Sequence, residues 1–483
     1  MGDTIHSDVE VIEPGSFEAE RHFYPRVLNA QVHPLVKSFL NLGNERIAER
    51  YCHLHPEVLP GAIRGVLDQP MKHFRWGGAD LFLVTSDQGL RSICVIETNS
   101  CPSGQKSMPL LQESAEEQAG YRILLERSFL PLIQKRKKSH GALAVIYDKN
   151  YMEASGYAAT LADLTGESVF LCPFYADDPE APARFTEDRV LEIKVNGEWT
   201  PIRAAFRYVT QRPWTRIPLV SKTLIFNPTL VCVAGGRNKM LAGKAYDFLN
   251  GELLSSRLAI RAPETIWDVE KTQVPFWIQR MGGVAVVKDP YSNAGQGVYT
   301  ITSQDELDAF MEGEYRYGRF IVQSLIGNSG WSSKSALGRL FHVGTVPNKR
   351  GHIYCADLRF MVGSSPEGFF PVAIYARRAR KPLASSLDGP DSSWEMLGTN
   401  LSVKTGPNQW TTESERLMLM DSRDFNRLGV GLDDLIEGYI QTLLSVTAID
   451  TMASRLLTQK GRFRKRFFSS INPDDALIRE LKT

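Results

Sequence analysis

The chain has 483 residues and a formal net charge of +1, with 43% hydrophobic and 23% charged residues. This length predicts several substructures rather than one hydrophobic core. Because basic and acidic side chains nearly cancel, no global field attracts nucleic acid, a membrane surface or a polyanionic substrate. We therefore expect any charged ligand to be bound by a local cluster of residues, and we expect no nucleic-acid partner.

The cysteines and the apolar segments bear on the compartment. The six cysteines show no paired spacing, which favours a reducing compartment over a disulfide framework. The N-terminal segment 1–15 contains acidic residues and no apolar stretch, so we expect no secretory signal. No run of about 18 apolar residues occurs, and we expect no transmembrane segment. These patterns predict a cytoplasmic protein.

Residues 1–140 are predicted to form N-terminal helices followed by a β-hairpin. Apolar residues spaced three and four apart predict helices within residues 17–69. Two apolar segments, residues 80–84 and 92–96, flank the turn-forming segment 85–89. This pattern is typical of two strands joined by a turn.

A helix is predicted next, over residues 110–129. A second region, residues 141–222, then combines the predicted strands 142–147 and 168–171 with a helix over 158–164 between them. The strand, helix, strand order predicts a small α/β lobe.

The third region, residues 223–405, is predicted to be antiparallel, because short turns and few helices separate its strands. Helices are predicted over 238–250 and 303–312, the second with Ser303 and Glu306 in a capping-box pattern. The predicted strands are 283–288, 298–301, 320–323, 357–362 and 371–375. Residues 406–483 are assigned to C-terminal helices. The whole chain is therefore predicted to be α+β, with antiparallel sheets, helices and one small α/β lobe.

The first motif with chemical meaning is Glu97-Thr98-Asn99, at the end of the hairpin's second strand. Residues i and i+2 of a strand share a face, so Glu97 and Asn99 present two oxygen donors side by side. Asp80 begins the first strand and is brought near by the hairpin. Oxygen donors of this kind suit Mg²⁺ that also binds nucleotide phosphates. A polar strand end that caps a turn is the alternative interpretation.

The second motif is Lys288, which ends an apolar strand and precedes a glycine-containing loop over 289–297. Glycines allow the backbone to approach phosphates closely while the lysine supplies charge. The alternative is an ordinary hairpin turn.

A third motif, residues 235–239, places Lys239 at a predicted helix start, where backbone donors favour anions. A solvated lysine is the alternative there.

A fourth group combines a strand carrying Asp357 and Arg359 with several cations one strand later. Arginines near a phosphate site can hold an acidic substrate or a transferring phosphoryl group. The later cations are Arg377, Arg378, Arg380 and Lys381.

The order of these motifs resembles the circularly permuted ATP-grasp ligases, such as eukaryotic glutathione synthetase and glutathionylspermidine synthetase. In that family the metal-binding Glu-x-Asn precedes the ATP-binding lysines, as Glu97 here precedes Lys239 and Lys288. The family also has an arginine and an aspartate just before this motif, and Arg75 and Asp80 occupy that place. The resemblance implies an ATP-grasp-like fold over roughly residues 70–400.

The resemblance also implies roles for individual residues, and it places the α/β lobe where the family has a substrate lobe. The residues expected to hold Mg²⁺ are Asp80, Glu97 and Asn99. Those expected to bind ATP are Lys239, Lys288, Asn293, Gly295, Gln296, Gly297, Gln323, Leu325 and Asp357. The residues expected to act in catalysis are Arg75, Arg359 and Arg378. Where glutathione synthetase has a metal-binding glutamate in its glycine-rich loop, this loop offers only Ser292 and Asn293, so the number of metal ions stays open.

The implied reaction is ATP-dependent joining of a carboxylate to an amine through an acyl phosphate, with a small or peptide-like carboxylate and an amine as partners. Two alternatives stay open, which are phosphotransfer by the same fold and nucleotide binding without turnover. A homodimer, the identity of both substrates and the role of the basic, aromatic segment 461–468 are also open.

Overall fold

A computed structural model describes residues 8–109, 118–136, 140–176, 178–292, 295–336, 338–388, 392–406 and 409–481. The fold is α+β, which confirms the predicted class. The strands are, in chain order, β1 (Glu10–Ile12), β2 (Trp76–Ser86), β3 (Arg91–Ser100), β4 (Ala142–Tyr147), β5 (Val169–Pro173), β6 (Ala183–Phe185), β7 (Leu191–Val195), β8 (Glu198–Tyr208), β9 (Leu224–Phe226), β10 (Thr265–Glu270), β11 (Ala285–Lys288), β12 (Val298–Ile301), β13 (Arg319–Ser324), β14 (Leu340–His342), β15 (Ala356–Ser365), β16 (Gly368–Arg378), β17 (Ser402–Gly406), β18 (Gln409–Thr412) and β19 (Leu417–Met418).

The helices precede, connect and follow these strands. They are α1 (Ala19–His22), α2 (Pro25–Leu28), α3 (Pro34–Leu40), α4 (Asn44–Leu54), α5 (Pro60–Leu67), α6 (Ala119–Leu124), α7 (Leu130–Lys135), α8 (Tyr151–Thr165), α9 (Thr229–Val231), α10 (Lys239–Leu253), α11 (Val274–Arg280), α12 (Gln304–Glu312), α13 (Ser393–Leu397), α14 (Ser422–Leu428), α15 (Leu432–Arg455), α16 (Lys465–Ile471) and α17 (Asp475–Glu480). Part of the helix predicted over 110–129 lies outside the described residues. Among the described residues, no helix combines the length and apolar character needed to cross a bilayer.

The central sheet is antiparallel and contains β3, β2, β15, β16 and β19, with β14 beside the end of β2. The predicted hairpin is present as β2 and β3, longer than the apolar segments indicated. Asp80 pairs with Glu97 on β3 and with Arg359 on β15. A β-bulge follows, because Leu81 pairs with Val95 and Ile96 has no partner of its own. Such bulges re-aim side chains near functional sites.

Helix α15 packs against one face of the central sheet and leaves the other face for the site. It is buried along most of its length, as its run of apolar residues requires. A Cβ on Gly438 of this helix would contact Leu81 and Phe360, which shows how closely the helix approaches β2 and β15. Residues on the opposite face of these strands, including Asp80, face away from α15.

A second antiparallel sheet has the order β10, β13, β11, β12 and carries its own apolar core with α11 and α12. Strand β12 has the predicted bounds. Ser303 caps α12 by accepting a hydrogen bond from the backbone N–H of Glu306 at 3.2 Å. The Glu306 carboxylate accepts from the backbone of Thr302 rather than from Ser303, so the reciprocal half of the predicted capping box is shifted by one residue.

The two predicted strands of the α/β lobe are present as β4 and β5, which pair in parallel with α8 packed on them, and β8, which was not predicted, pairs in parallel with β4. Strand β9 pairs in parallel with β8, so the sheet continues past residue 222. Strands β1, β7 and β6 extend the sheet in antiparallel pairing. The carboxyl end of β4 is followed by Asp148 and Lys149, the position at which α/β sheets place ligand-binding residues.

Candidate functional site

A cavity of about 1420 Å³ lies between the central sheet, the second sheet and the α/β lobe. Its wall includes Asp80 and Glu97 from the central sheet, Lys288 from the second sheet, and Lys149 from the lobe. The hairpin and the Lys288 loop, nearly 200 residues apart in the chain, thus face one space. The bulge in β3 lets both Ile96 and Glu97 line it.

Glu97 and Lys239 form an ion pair in the cavity wall. The Lys239 ammonium lies 3.4 Å from the Glu97 carboxylate and also donates to the backbone carbonyl of Ser292 in the glycine-containing loop. The backbone N–H of Lys239 donates to the carbonyl of Pro290 at 2.9 Å. The start of α10 is therefore fixed against the loop that follows Lys288.

Lys288 is buried and points into the cavity from β11. Its ammonium donates to the Gln323 side-chain carbonyl at 2.6 Å. Burial lowers the pKa of Lys288 to about 8; Glu97 raises it, while the neighbouring Lys239 lowers it. A bound polyanion would favour the charged ammonium. Lys288 and Lys239 together form a cationic pair beside one carboxylate.

Asp80 belongs to a buried ion-pair network. Both of its carboxylate oxygens accept hydrogen bonds from Arg359, at 2.6 and 2.7 Å. Arg377 lies 3.0 Å from Asp80 and also pairs with Asp357, which accepts a further hydrogen bond from Thr399. Both arginines therefore pair with the Asp80 carboxylate. This carboxylate positions the arginines and is not an open metal ligand.

Asn99 is buried beside Arg237, a residue that follows the second glycine of the Gly-Gly-Arg-Asn-Lys motif. Arg237 donates to the Asn99 side-chain oxygen at 3.1 Å and to the backbone carbonyl of Ser100 at 2.6 Å. Arg237 lines the cavity and had no predicted role of its own. Its position at a helix start that was predicted to bind anions could have identified Arg237 as a site residue from the sequence.

The glycine-containing loop borders the cavity through Gly295, Gln296 and Gly297. Gly295 and Gly297 have φ values of +75° and +65°, which favour glycine. A Cβ on Gly297 would lie 2.8 Å from the Cβ of Asp289, so this position admits no side chain without movement. Asn293 lies outside the described residues.

One end of the cavity is apolar and suits a planar base. It is lined by Phe82, Ile96, Val286, Leu325 and Ile326. Gln323, from β13, borders the same space. Gln323 and Leu325, both expected to bind ATP, are therefore part of this wall.

Two of the predicted catalytic arginines lie outside the cavity wall. Arg75 precedes β2 by one residue, and an odd spacing of five from Asp80 puts it on the other face of the strand. Arg378 donates to the carbonyl of Ala379 and lies 4.9 Å from the ring of Tyr354. Its neighbour Arg377 lines the cavity instead, because successive strand residues point to opposite faces.

Several cavity residues had no predicted role. Lys106, Lys149 and Arg212 line the end nearest the α/β lobe, and Asp289 lines the loop side. Lys149 directly follows Asp148 after the parallel strand β4, which was a usable signal. Asp289, the first residue of the glycine-containing loop, adds a carboxylate to the cavity wall.

The site offers oxygen donors for Mg²⁺ without forming a complete cage. Within the described ranges, no group of three or more His, Cys, Asp or Glu side chains is arranged to hold a metal ion. Mg²⁺ bound together with nucleotide phosphates needs only one or two carboxylates. Glu97 is half-buried in the cavity, and the Asn99 oxygen shares its strand face. Glu97 fits that requirement, and Asp289 provides a further carboxylate. The Asn99 oxygen accepts one hydrogen bond from Arg237 and keeps its second lone pair for an ion.

No protein-family model matches the chain, and no curated protein matches its sequence. The solved structures to which it is similar include ATP-grasp proteins. A RimK domain ATP-grasp protein from Sphaerobacter thermophilus is 15% identical over 48% of this chain and 90% of that chain, with a TM-score of 0.28. D-alanyl-alanine synthetase A from Vibrio cholerae is 12% identical over 54% and 93%, with a TM-score of 0.31. A glutathione synthetase-like effector from Globodera pallida is 8% identical over 71% and 81%, with a TM-score of 0.36.

Proposed function

We propose that this protein is an ATP-dependent ligase of the ATP-grasp type, which joins a carboxylate to an amine through an acyl phosphate. The observation that carries the proposal is the convergence of Lys239, Lys288 and Glu97 with the Asp80-held Arg359 around one cavity. An apolar pocket lies at one end and a cationic pocket at the other, so the cavity has room for a nucleotide and a second substrate.

In this proposal the adenine occupies the apolar end and the phosphates lie against Lys239 and Lys288. Glu97 and Asn99 would hold Mg²⁺, which neutralises phosphate charge when bound. The loop through Gly295 and Gly297 closes over the phosphates and excludes water from the reactive acyl phosphate.

The chemical steps balance without a further co-reactant. A substrate carboxylate oxygen attacks the γ-phosphorus, the bond to the ADP oxygen breaks, and ADP leaves. The amine nitrogen then attacks the acyl carbon, the carbon–oxygen bond to phosphate breaks, and the nitrogen loses a proton. Arg359 would hold the transferring phosphoryl group or the carboxylate with the Nη1 and Nη2 hydrogens that its bonds to Asp80 and Ser103 leave over.

Asp80 would act by orienting Arg359 in this scheme.

We also propose a cytoplasmic location, supported by cysteines that are all free, five of them buried. A homodimer stays a prediction.

The test is ADP release in the presence of paired acids and amines, with hydroxylamine as a trap. Hydroxylamine converts an acyl phosphate into a hydroxamate, whereas a phosphorylated alcohol product is left unchanged. When hydroxylamine replaces the amine, we expect ADP and hydroxamate in equal amounts. ADP with a stable phosphorylated product would instead support phosphotransfer, and ATP binding without ADP release would support a regulatory protein.

Two variants locate the reaction. Lys288→Met removes a phosphate contact and should lower the rate of ADP release by about 10²–10³-fold, as loss of one transition-state donor does. Lys222→Met is the matched control, because Lys222 is an exposed lysine paired with Asp188 outside the cavity. Undiminished ADP release by Lys288→Met would contradict the phosphate assignment.

A further inference from the structure

The end of the cavity beside the α/β lobe is strongly cationic. The lining residues from segments 103–107, 149–150 and 210–212, together with Arg237, include four cations and no carboxylate. The proposed reaction uses none of the three cations contributed by the segments, because the nucleotide phosphates lie against Lys239 and Lys288. This excess of positive charge favours binding of an anionic group that does not belong to the nucleotide.

Lys149 has few partners in this region. No hydrogen-bond acceptor contacts its ammonium among the described residues, and the ammonium lies over the ring of Tyr208, 5.6 Å from the ring centre. Burial lowers the pKa of Lys149 to about 7; Arg237 and Arg359 also lower it, whereas Asp148 and Cys101 raise it. A negative group placed here would restore a full charge on the ammonium.

Arg212 supplies a second underused donor. Its Nη1 is buried and has no hydrogen-bond partner in the part of the chain that the structure describes. The guanidinium lies over the ring of Tyr317 at 4.6 Å, which fixes its plane without satisfying its N–H groups. A buried, unpaired guanidinium nitrogen is costly unless a ligand completes it.

The carboxylates behind these cations are already satisfied. Asp148 accepts from the backbone N–H groups of Thr210 and Gln211 at 2.7–3.0 Å and from Arg216 at 3.0 Å. Glu153 accepts from the Ser103 hydroxyl, the backbone N–H of Gly104 and the Tyr208 hydroxyl. On the wall formed by segment 314–316, Glu314 and Arg316 also line the cavity, and Arg316 pairs with Glu480 at 2.6 Å. The acidic groups therefore do not neutralise Lys149 and Arg212.

The loop at Ser103 joins this cationic end to the proposed transfer site. The carbonyl of Ser103 accepts from Arg359 at 3.5 Å and from the Tyr375 hydroxyl at 2.7 Å. The Ser103 hydroxyl accepts from Asn150 at 3.0 Å. A single small molecule can thus reach from Arg359 past Ser103 to Lys149.

We propose that Lys149 and Arg212 bind a second acidic group on the acyl substrate, so that the substrate is an acid with two negative groups. This inference rests on the proposed function for the role of Arg359. One acidic group is activated at Arg359 and the other is held at the cationic end. Carboxylate and phosphate groups share the chemistry that this end recognises.

The experiment compares acids of equal chain length that differ in the distal group. Binding to the whole protein is measured by calorimetry, with a non-hydrolysable ATP analogue and Mg²⁺ present. The ligands are monocarboxylic acids, α,ω-dicarboxylic acids and ω-phosphonocarboxylic acids. We expect one doubly acidic series to bind roughly 10–100-fold more tightly than the monoacids, as hydrogen bonds to charged groups provide. The stronger of the two series identifies the distal group.

Lys149→Met and Arg212→Gln should each reduce this preference at least several-fold, whereas Lys222→Met should retain it. Equal binding of monoacids and diacids, or a preference that survives both cavity variants, would overturn the inference. Because binding is measured without turnover, a diacid preference without hydroxamate formation would contradict the ligase proposal alone. Hydroxamate formation without a diacid preference would contradict the second acidic group alone.

Discussion

Replacing Asp80 with asparagine tests the buried network that orients Arg359. We expect Asp80→Asn to lower the free energy of unfolding by about 3–5 kcal/mol, the usual cost of leaving a buried charge without its partner. Asp80 accepts both hydrogen bonds that Arg359 makes to a carboxylate, at 2.6 and 2.7 Å. Arg377 keeps Asp357 after the change, so the expected penalty is that of one uncompensated cation.

The pH dependence follows from the pKa of Asp80. Burial alone would raise this pKa, but Arg359 and Arg377 outweigh burial and hold it well below its usual range. A carboxyl whose pKa is lower in the folded state stabilises fully above its unfolded pKa of about 4. The stabilisation is lost as the pH falls below that value. The difference between the wild type and Asp80→Asn should therefore be constant near neutral pH and shrink under acid conditions.

Urea unfolding followed by tryptophan fluorescence and by circular dichroism measures the change, and coincident transitions justify a single free energy. The double variant Asp80→Leu with Arg359→Met is the companion measurement. It should be more stable than Asp80→Asn, because replacing both partners with apolar groups leaves no unpaired buried charge, and Arg377 keeps Asp357. A loss below about 1 kcal/mol for Asp80→Asn would mean that the pair behaves as a surface ion pair, which would refute the reasoning.

Three further predictions concern the cavity and its supports. Binding of a doubly acidic substrate should weaken as the pH rises above about 7, because the Lys149 ammonium then loses its proton; Lys149→Arg should flatten this dependence in calorimetric titrations. Asn472 is fully buried between Asn238, the cap of the helix that begins at Lys239, and the Tyr291 hydroxyl, at 2.7 and 2.8 Å. Asn472→Leu should raise the KM for ATP more than it lowers kcat, whereas a purely structural role would reduce only the amount of folded protein. Gly297→Ala should weaken ATP binding by about 1–2 kcal/mol, the cost of a side chain in the left-handed region; unchanged binding would show that the loop adopts another conformation with ATP.

The sequence predicted those site residues whose side-chain direction follows from a local pattern, such as the alternation of faces along a strand. The alternation of a strand puts Glu97 and Asn99 on one face, and both line the cavity. The lysine that ends an apolar strand, Lys288, also lines it. The same alternation places Arg75 on the face opposite Asp80. Strand periodicity alone could therefore have excluded Arg75 from the candidate site. Strand pairing was needed to choose Arg377 over Arg378, because periodicity alone does not say which face turns inward.

The amino-acid sequence by itself determined the α+β class, the hairpin, the glycine-containing loop and the charge types available to the site. These features depend on spacing and on backbone freedom, which act over a few residues. Only the tertiary structure decided that Arg359, 279 positions along the chain, occupies Asp80, and that Lys149 and Arg212 face the cavity beside it. Such contacts depend on strand register and on the packing of three sheets. Local sequence patterns do not predict which residues, distant along the chain, will line the same cavity.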